Sequence, residues 1–365
     1  MSLAGPVLIA AGGTGGHLFP AEALGAALTA RGVAVELATD ARAKQYSGDF
    51  PASAVHQIAA ATPSGGSPLA RGKAVTTLLA GTAAALLLLR RLRPAAVVGF
   101  GGYPTVPPIL AASLLGIPAI LHEQNAIIGR ANRFLAGRVD AVATGFPTLK
   151  GIRPSIRTLH TGNPVRPSVL AAAKSAYPDA SPFRLLVIGG SQGAGIMADI
   201  APAAVALLSE PARRNLKIVQ QARGEDEARV RQAYADLSVP AEVLPFFTDL
   251  PVRMAAANLV IGRAGASTVA ELAAIGRPAI LVPFPHALDQ DQAENAAQLG
   301  AAGAAIVVAQ RDFTPQWLAG ALADALDDPA TLRWRAAAAR STAVTDAAER
   351  LADLVLNLAR QEGRK

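Results

Sequence analysis

The chain has 365 residues, 51% of them apolar and none of them cysteine, so it can bury a large core in about two domains, forms no disulfide and offers no thiolate to a metal. Its formal charge of +7 and pI near 10.1 point to anionic partners. Aromatics are only 4% and no nucleic-acid-binding motif occurs, which favours nucleotide phosphates or anionic lipid over nucleic acid.

The start, MSLAGPVLIAAGG, has no basic region ahead of its apolar run and reads as a first strand rather than an export signal, so a cytoplasmic location is expected. Val7 to Ala11 is that strand, Gly12 to Gly16 a turn, and Leu18, Ala21, Leu24 and Leu28 one face of a helix that ends at Gly32. A second strand is expected over Val33 to Ala38. Between Arg71 and Lys73 on one side and Arg90, Arg91 and Arg93 on the other lies an apolar run, Ala74 to Leu89, that falls short of the ~20 residues needed to cross a bilayer. It is expected either to lie on an anionic membrane surface or to pack as a core helix with basic ends. Short apolar strands follow at Ala96 to Gly99, Ala119 to Leu121 and Ala141 to Thr144, and the alternation predicts a parallel, doubly wound α/β sheet.

Gly151 to Pro182 is rich in proline, glycine and serine, and the turn Gly162-Asn163-Pro164 places a domain boundary there, giving domains 1–163 and 164–340. The pattern then restarts: strand Phe183 to Ile188 runs into Gly189 to Gly195 and a new helix. Later strands are expected at Lys217 to Gln220, Glu242 to Leu244, Leu259 to Ile261, Ala279 to Val282 and Ala305 to Val308. A long amphipathic helical stretch, Leu332 to Arg360, closes the chain, with 341–365 expected to pack back on the first domain.

Glycine turns at helix N-termini suit phosphate, because backbone N–H groups and the positive end of the helix dipole converge where no side chain blocks an anion. Neither Gly-rich loop fits the dinucleotide fingerprint: the first lacks its final glycine spacing, and Glu36 has no counterpart in the second half, so an oxidoreductase is the remote alternative. His17 follows the first turn at a strand's C-terminal end, where open α/β sheets bind ligands, and is a candidate general base or a structural helix-start residue. Gly99-Phe100-Gly101-Gly102-Tyr103-Pro104 is a second phosphate-compatible turn, and the polar run His122-Glu123-Gln124-Asn125 ends a strand where packing is a poor explanation for it. Gly265 to Glu271 opens a further helix, whose carboxylate Glu271 could take two ribose hydroxyls or simply favour the dipole. No Asp-X-Asp stands at a strand end in the first half, so neither a catalytic metal nor another cofactor is expected.

The stretches GGTGGHLFPA from Gly12, GFGGYPTVPP from Gly99, HEQNAIIGRAN from His122, GNPVR from Gly162, GGSQGA from Gly189 and GRAGASTVAEL from Gly262 resemble the MurG family of UDP-N-acetylglucosamine:N-acetylmuramyl-(pentapeptide) pyrophosphoryl-undecaprenol N-acetylglucosaminyltransferases over nearly the whole chain. The resemblance implies a GT-B fold, two doubly wound Rossmann-like domains facing a cleft, and an inverting, metal-independent transfer from UDP-N-acetylglucosamine to lipid I. It implies a peripheral protein on the cytoplasmic face of the inner membrane, in peptidoglycan synthesis, with cell-wall synthesis and division proteins as partners. Carried over by residue, it puts Thr14, Gly15, Gly16, Asn125, Arg166 and Ser191 at the donor, His17 as base, and Ala266, Ser267, Thr268, Val269, Ala270 and Glu271 on phosphate and ribose. Phe247 falls at the uracil position with the base held by backbone groups, and Gln290 or Gln292 on the sugar. Gly101, Gly102, Tyr103, His122 and Glu123 fall on the acceptor side. An epimerase or glycolipid synthase of the same fold shares the donor loops and differs in the first half; a nucleotide-sugar binding module has no need of the polar run at His122.

Overall fold

The computed structural model describes residues 3–12, 14–41, 50–62, 67–190, 193–285 and 291–362. They form two compact units, Met1–Arg166 with Val344–Lys365, and Pro167–Ala343.

In the first unit, β1 (Val7–Ala10), β2 (Val35–Thr39), β3 (Ala54–Gln57), β4 (Ala96–Gly99), β5 (Ala119–Glu123), β6 (Ala141–Thr144) and β7 (Thr158–His160) make a sheet ordered β3-β2-β1-β4-β5-β6-β7, with every pairing parallel. The central strands are buried along their whole length, as near-continuous apolar runs are in a sheet covered on both faces. Helices α1 (Gly15–Ala30), α2 (Pro68–Leu92), α3 (Val106–Leu115) and α4 (Arg130–Leu135) connect them. Strand order reverses between β1 and β4, so the chain leaves these neighbours in opposite directions and opens a crevice at their C-terminal ends.

The second unit repeats the plan. It holds α5 (Pro167–Ala172), β8 (Phe183–Ile188), α6 (Gly195–Ala206), α7 (Glu210–Arg214), β9 (Leu216–Gln221), α8 (Gly224–Asp236), β10 (Ala241–Leu244), α9 (Leu250–Ala256), β11 (Leu259–Gly262), α10 (Ala266–Ile275), β12 (Ala279–Leu281), α11 (Asp291–Ala301), β13 (Ala305–Val307), α12 (Pro315–Asp327) and α13 (Pro329–Ser341). Its parallel sheet is ordered β10-β9-β8-β11-β12-β13, which puts the reversal between β8 and β11.

The sequence reading missed β3 and β7, which are short, half-exposed edge strands without an apolar run. The expected single helix over Leu332 to Arg360 is two helices, because the chain breaks after α13 to bring Val344 against Gly162 before α14 (Ala347–Glu362) begins. The apolar run of 74–89 lies within a longer helix: α2 has 25 residues, and Leu69–Leu92 is long and apolar enough to cross a membrane by length and composition alone. One of its stripes is committed to the fold. Ala74, Gly81, Ala85 and Leu89 are buried, α2 packs on α3, and a Cβ on Gly81 would stand 2.1 Å from the Ala59 carbonyl oxygen.

α14 completes the first unit's core: Leu351, Ala352 and Val355 are fully buried with Val7, Leu24 and Leu28, and Arg31 of α1 pairs with Glu349 and, at 2.7 Å, with Asp353. Burial outweighs these ion pairs, since their carboxylates stand well out in water. Leu351→Ala should therefore lower the unit's stability by ~2–5 kcal/mol and Arg31→Ala by about 1 kcal/mol or less, read by urea unfolding.

Candidate active site

At the first reversal two turns close on one imidazole. After β1 the chain bends through Ala11 and Gly12 to Thr14, which caps α1; the cap's side chain bonds no backbone N–H and instead lies with Oγ1 2.9 Å from His17 Nδ1. After β4 the chain turns through Gly101 and Gly102, with φ of 83° and 73°, a left-handed conformation that favours glycine at both. A Cβ on Gly101 would stand 3.4 Å from His17 Cδ2, one on Gly102 3.7 Å from Cε1, and one on Gly12 3.6 Å from Nδ1. The half-buried ring is thus seated between turns that carry no side chains. Thr105 donates to the Gly101 carbonyl at 2.7 Å and lies 3.2 Å from that of Ala10, tying the second turn to β1. Tyr103 opens a 3₁₀ turn, Tyr103–Thr105, and lies half-buried against the α2–α3 side of the core.

Behind these turns lies a buried polar layer. His122 is fully buried, stacked on Phe100 with centroids 5.3 Å apart, and its Nε2 donates to the Gly162 carbonyl at 3.0 Å. Burial pushes its pKa down to about 4. Gln124 donates to the Phe100 carbonyl at 2.9 Å, and Asn163 to that of Gln124 at 2.9 Å. The Glu123 carboxylate accepts from the backbone N–H groups of Asn125 and Gly129 and from the side-chain amides of Asn125 and Asn132. The polar run at 122–124 is therefore packing after all, held by carbonyls and amides that sequence does not display. As placed, neither His122 nor Glu123 is exposed enough to touch an acceptor, and the half-buried Asn125 has its amide on Glu123. Asn132, which sequence reasoning did not single out, is the residue that links this layer to the Gly101 turn. Arg166 closes the first unit, with its guanidinium 3.7 Å from the Phe19 ring centroid on α1.

In the second unit the turn after β11 leads to α10, capped by Gly265. Helical geometry turns the N–H groups of residues 266–268 out of the helix end, whereas Val269 N–H already bonds the Gly265 carbonyl at 3.0 Å. The open N–H groups at this helix end are therefore those of Ala266, Ser267 and Thr268, while Val269 is buried with its N–H already paired within the helix. Glu271 lies deeper in the helix, at 5% exposure. Arg263 supports the next turn from below, donating to the carbonyls of Val282 and Pro283 and to Gln310. Asn295 of α11 donates to the Ala264 carbonyl at 3.3 Å, and the Gln292 side-chain Oε1 accepts from Phe284 N–H at 3.0 Å. The Phe247 side chain is buried beneath Arg253, whose guanidinium is 4.5 Å from the ring centroid. Ser191 and Gln290 lie outside the described residues.

Because His122 is held neutral, its contribution to stability is full above the unfolded value near 6.5 and is lost as pH falls toward about 4. Between pH 7 and 5 the parent should lose roughly 2 kcal/mol more than His122→Gln, which has no charge to gain, as measured by urea unfolding at both pH values.

Residues 7–144 match the glycosyltransferase family 28 N-terminal domain and residues 184–351 its C-terminal domain. The UDP-N-acetylglucosamine--N-acetylmuramyl-(pentapeptide) pyrophosphoryl-undecaprenol N-acetylglucosamine transferase of Methylobacterium sp. (strain 4-46) is 59% identical over 98% of both chains. The protein of that name from Brucella suis biovar 1 (strain 1330) is 57% identical, covering 96% of this chain and 93% of that one. Among solved structures, MurG of Acinetobacter baumannii matches with a TM-score of 0.77 at 30% identity over 97% of this chain and 99% of that one. The glycosyltransferase of kitacinnamycin, at a TM-score of 0.69 and 18% identity over 97% of this chain and 99% of that one, shares the fold. With both domains matched and relatives near 60% identity over almost its entire length, the chain belongs to the MurG family of glycosyltransferase family 28, enzymes of the two-domain GT-B fold.

Proposed function

We propose that the chain transfers N-acetylglucosamine from UDP-N-acetylglucosamine to the C4 hydroxyl of the muramyl residue of undecaprenyl-pyrophosphoryl-N-acetylmuramyl-pentapeptide, converting lipid I to lipid II in peptidoglycan synthesis. The observation that carries this reading is the 59% identity over 98% of both chains to a transferase of that name. The site geometry supports it. With the Nδ1 proton donated to Thr14, His17 Nε2 is the basic nitrogen and takes the proton of the attacking hydroxyl. The C4 oxygen bonds to the anomeric carbon as the bond from that carbon to the UDP oxygen breaks, so the configuration inverts. Negative charge gathers on UDP. The N-terminal N–H groups of α10 and the Arg166 guanidinium supply the compensating positive potential. Glu271 takes the ribose hydroxyls, Gln292 the sugar and the Phe247 backbone the uracil.

The kinetic constants should separate these roles. His17→Ala should lower kcat by ~10²–10⁴-fold with UDP affinity unchanged, because a base acts on the acceptor's proton. Glu271→Ala should weaken donor binding by roughly 1.5–3 kcal/mol, seen as a raised donor KM. Turnover of radiolabelled UDP-N-acetylglucosamine with lipid I, together with calorimetric titration of UDP, checks both. Loss of UDP binding in the first variant, or a parental donor KM in the second, would remove that residue from its role.

We further propose that α2 rests on the cytoplasmic surface of the inner membrane. Leu69, Leu79 and Leu87 of α2 are 84%, 65% and 68% exposed. The hydroxyls of Thr76, Thr77 and Thr82 donate back to helix carbonyls, which lowers their cost against lipid. Arg71 and Lys73 stand near one end, and Arg90, Arg91 and Arg93 at the other, all exposed. Each cation near anionic headgroups adds ~1 kcal/mol of attraction. Changing Arg90, Arg91 and Arg93 together to Glu should reduce co-sedimentation with anionic liposomes and turnover of bilayer-embedded acceptor, while a short-chain soluble acceptor is still glycosylated. High salt should reproduce the loss in the parent. Parental liposome binding by the triple variant at low salt would return α2 to a purely structural role.

A further inference from the structure

Glu123 is at the last position of β5, with 1% of its surface exposed, and every hydrogen bond described for its carboxylate comes from an N–H donor. Oε1 accepts from Asn125 N–H at 3.0 Å and Asn125 Nδ2 at 3.2 Å; Oε2 accepts from Gly129 N–H at 2.9 Å and Asn132 Nδ2 at 2.8 Å. Burial pushes this carboxyl above the usual range, and the four donors oppose that shift. A donor set of this kind fits an ionised oxygen pair; a neutral amide in its place would turn N–H groups against N–H groups.

Asn132 carries the arrangement onward. Its Nδ2 also lies 3.4 Å from the His122 carbonyl oxygen, and its buried Oδ1 has no hydrogen-bond partner among the described residues. The amide stands against the Gly101 turn: a Cβ on Gly101 would lie 3.2 Å from Asn132 Nδ2 and 3.4 Å from His17 Cδ2. The Asn132 amide, fixed by Glu123, and the imidazole thus both face Gly101 from the side where a Cβ would stand, so the amide, the turn and the ring share one packed space.

We propose that Glu123 is a positioning residue: its carboxylate fixes Asn132 against the Gly101 turn and so sets where His17 stands, while pinning the Asn125–Gly129 loop. This rests on the reading of His17 as the base of a glycosyl transfer. Glu123 does not touch substrate and acts through Asn132. Misplacing a reacting group by a fraction of an ångström to 1 Å is enough to cost one to two orders of magnitude in rate.

Glu123→Gln keeps the shape and removes the charge. Hydrogen–deuterium exchange should speed up at residues 125–129 and also at 14–18 and 99–105, which Glu123 does not touch. On lipid I, kcat should fall by about 10- to 100-fold with the donor KM within about twofold of the parent. A purely local structural role would loosen 125–129 alone. Asn132→Ala, which leaves the carboxylate three of its four bonds, should reproduce the faster exchange at 14–18 and 99–105, and it carries the test if Glu123→Gln does not fold. Parental exchange at 14–18 and 99–105 in the folded variants, or a parental kcat, would overturn the proposal. Absence of transfer by the parent itself would overturn the reading of the reaction instead, and the exchange data would still decide whether Glu123 acts on the turn at a distance.

Discussion

The site in the first unit depends on one steric constraint: β1 and β4 lie side by side at the reversal of strand order, and the turns that leave them must pass within van der Waals distance of the same imidazole. A Cβ at Gly12, Gly101 or Gly102 would stand in van der Waals contact with the ring, at 3.4–3.7 Å, and at Gly101 and Gly102 the left-handed φ favours glycine besides. The ring therefore lies against the backbone of two turns whose positions are set by the sheet, with the Thr14 hydroxyl on its Nδ1. The hydroxyl of Thr105 reinforces the link by binding the Gly101 carbonyl and reaching toward that of Ala10. A ring held by two turns and one hydroxyl has few soft degrees of freedom left, so its orientation is set by the fold.

The layer beneath the turns shows how such a site tolerates polarity in a core. An unpaired buried amide or carboxylate is costly, whereas one whose partners are all present is nearly neutral in free energy and strongly specifying in geometry. Glu123 accepts from four N–H donors, and His122, Gln124 and Asn163 each donate to a backbone carbonyl of a neighbouring loop. The segments that follow β4, β5 and β7 are thereby tied to one another by contacts with defined directions. The second unit solves the same problem with different residues, Arg263 and Asn295 serving as the struts beneath the turns that follow β12 and β11.

Most of this architecture was legible in the sequence because central parallel strands, buried on both faces, leave uninterrupted apolar runs, and because glycine turns mark the points where chain meets ligand. The edge strands β3 and β7 were not, since alternate residues such as Val55 and Gln57 face water and no run forms. His17 stood out through its position in a turn. His122 and Glu123 were seen as a cluster and given to the acceptor, because composition reveals residue types and not the carbonyls and amides that satisfy them. Asn132, the last residue of the stretch HEQNAIIGRAN, was given no role for the complementary reason: it lies in a short helix and acquires meaning only from the turn, distant in sequence, that it faces. Val269 and Ala270 were grouped with their neighbours by motif, whereas helical hydrogen bonding separates the open N–H groups of the first turn from those already paired one residue later.

The return of α14 makes the first unit discontinuous in sequence. Leu351 and Val355 are buried with Val7 and Leu28 in the core around β1 and α1, although residues 167–343 stand between them and the rest of that unit. Residues 167–343 are contiguous and can close their own core as soon as they are made, whereas the first unit must wait for a segment that follows the whole of the second. Until that segment arrives, the apolar side chains of α1 that α14 covers stay open to water, a surface that invites association with other chains.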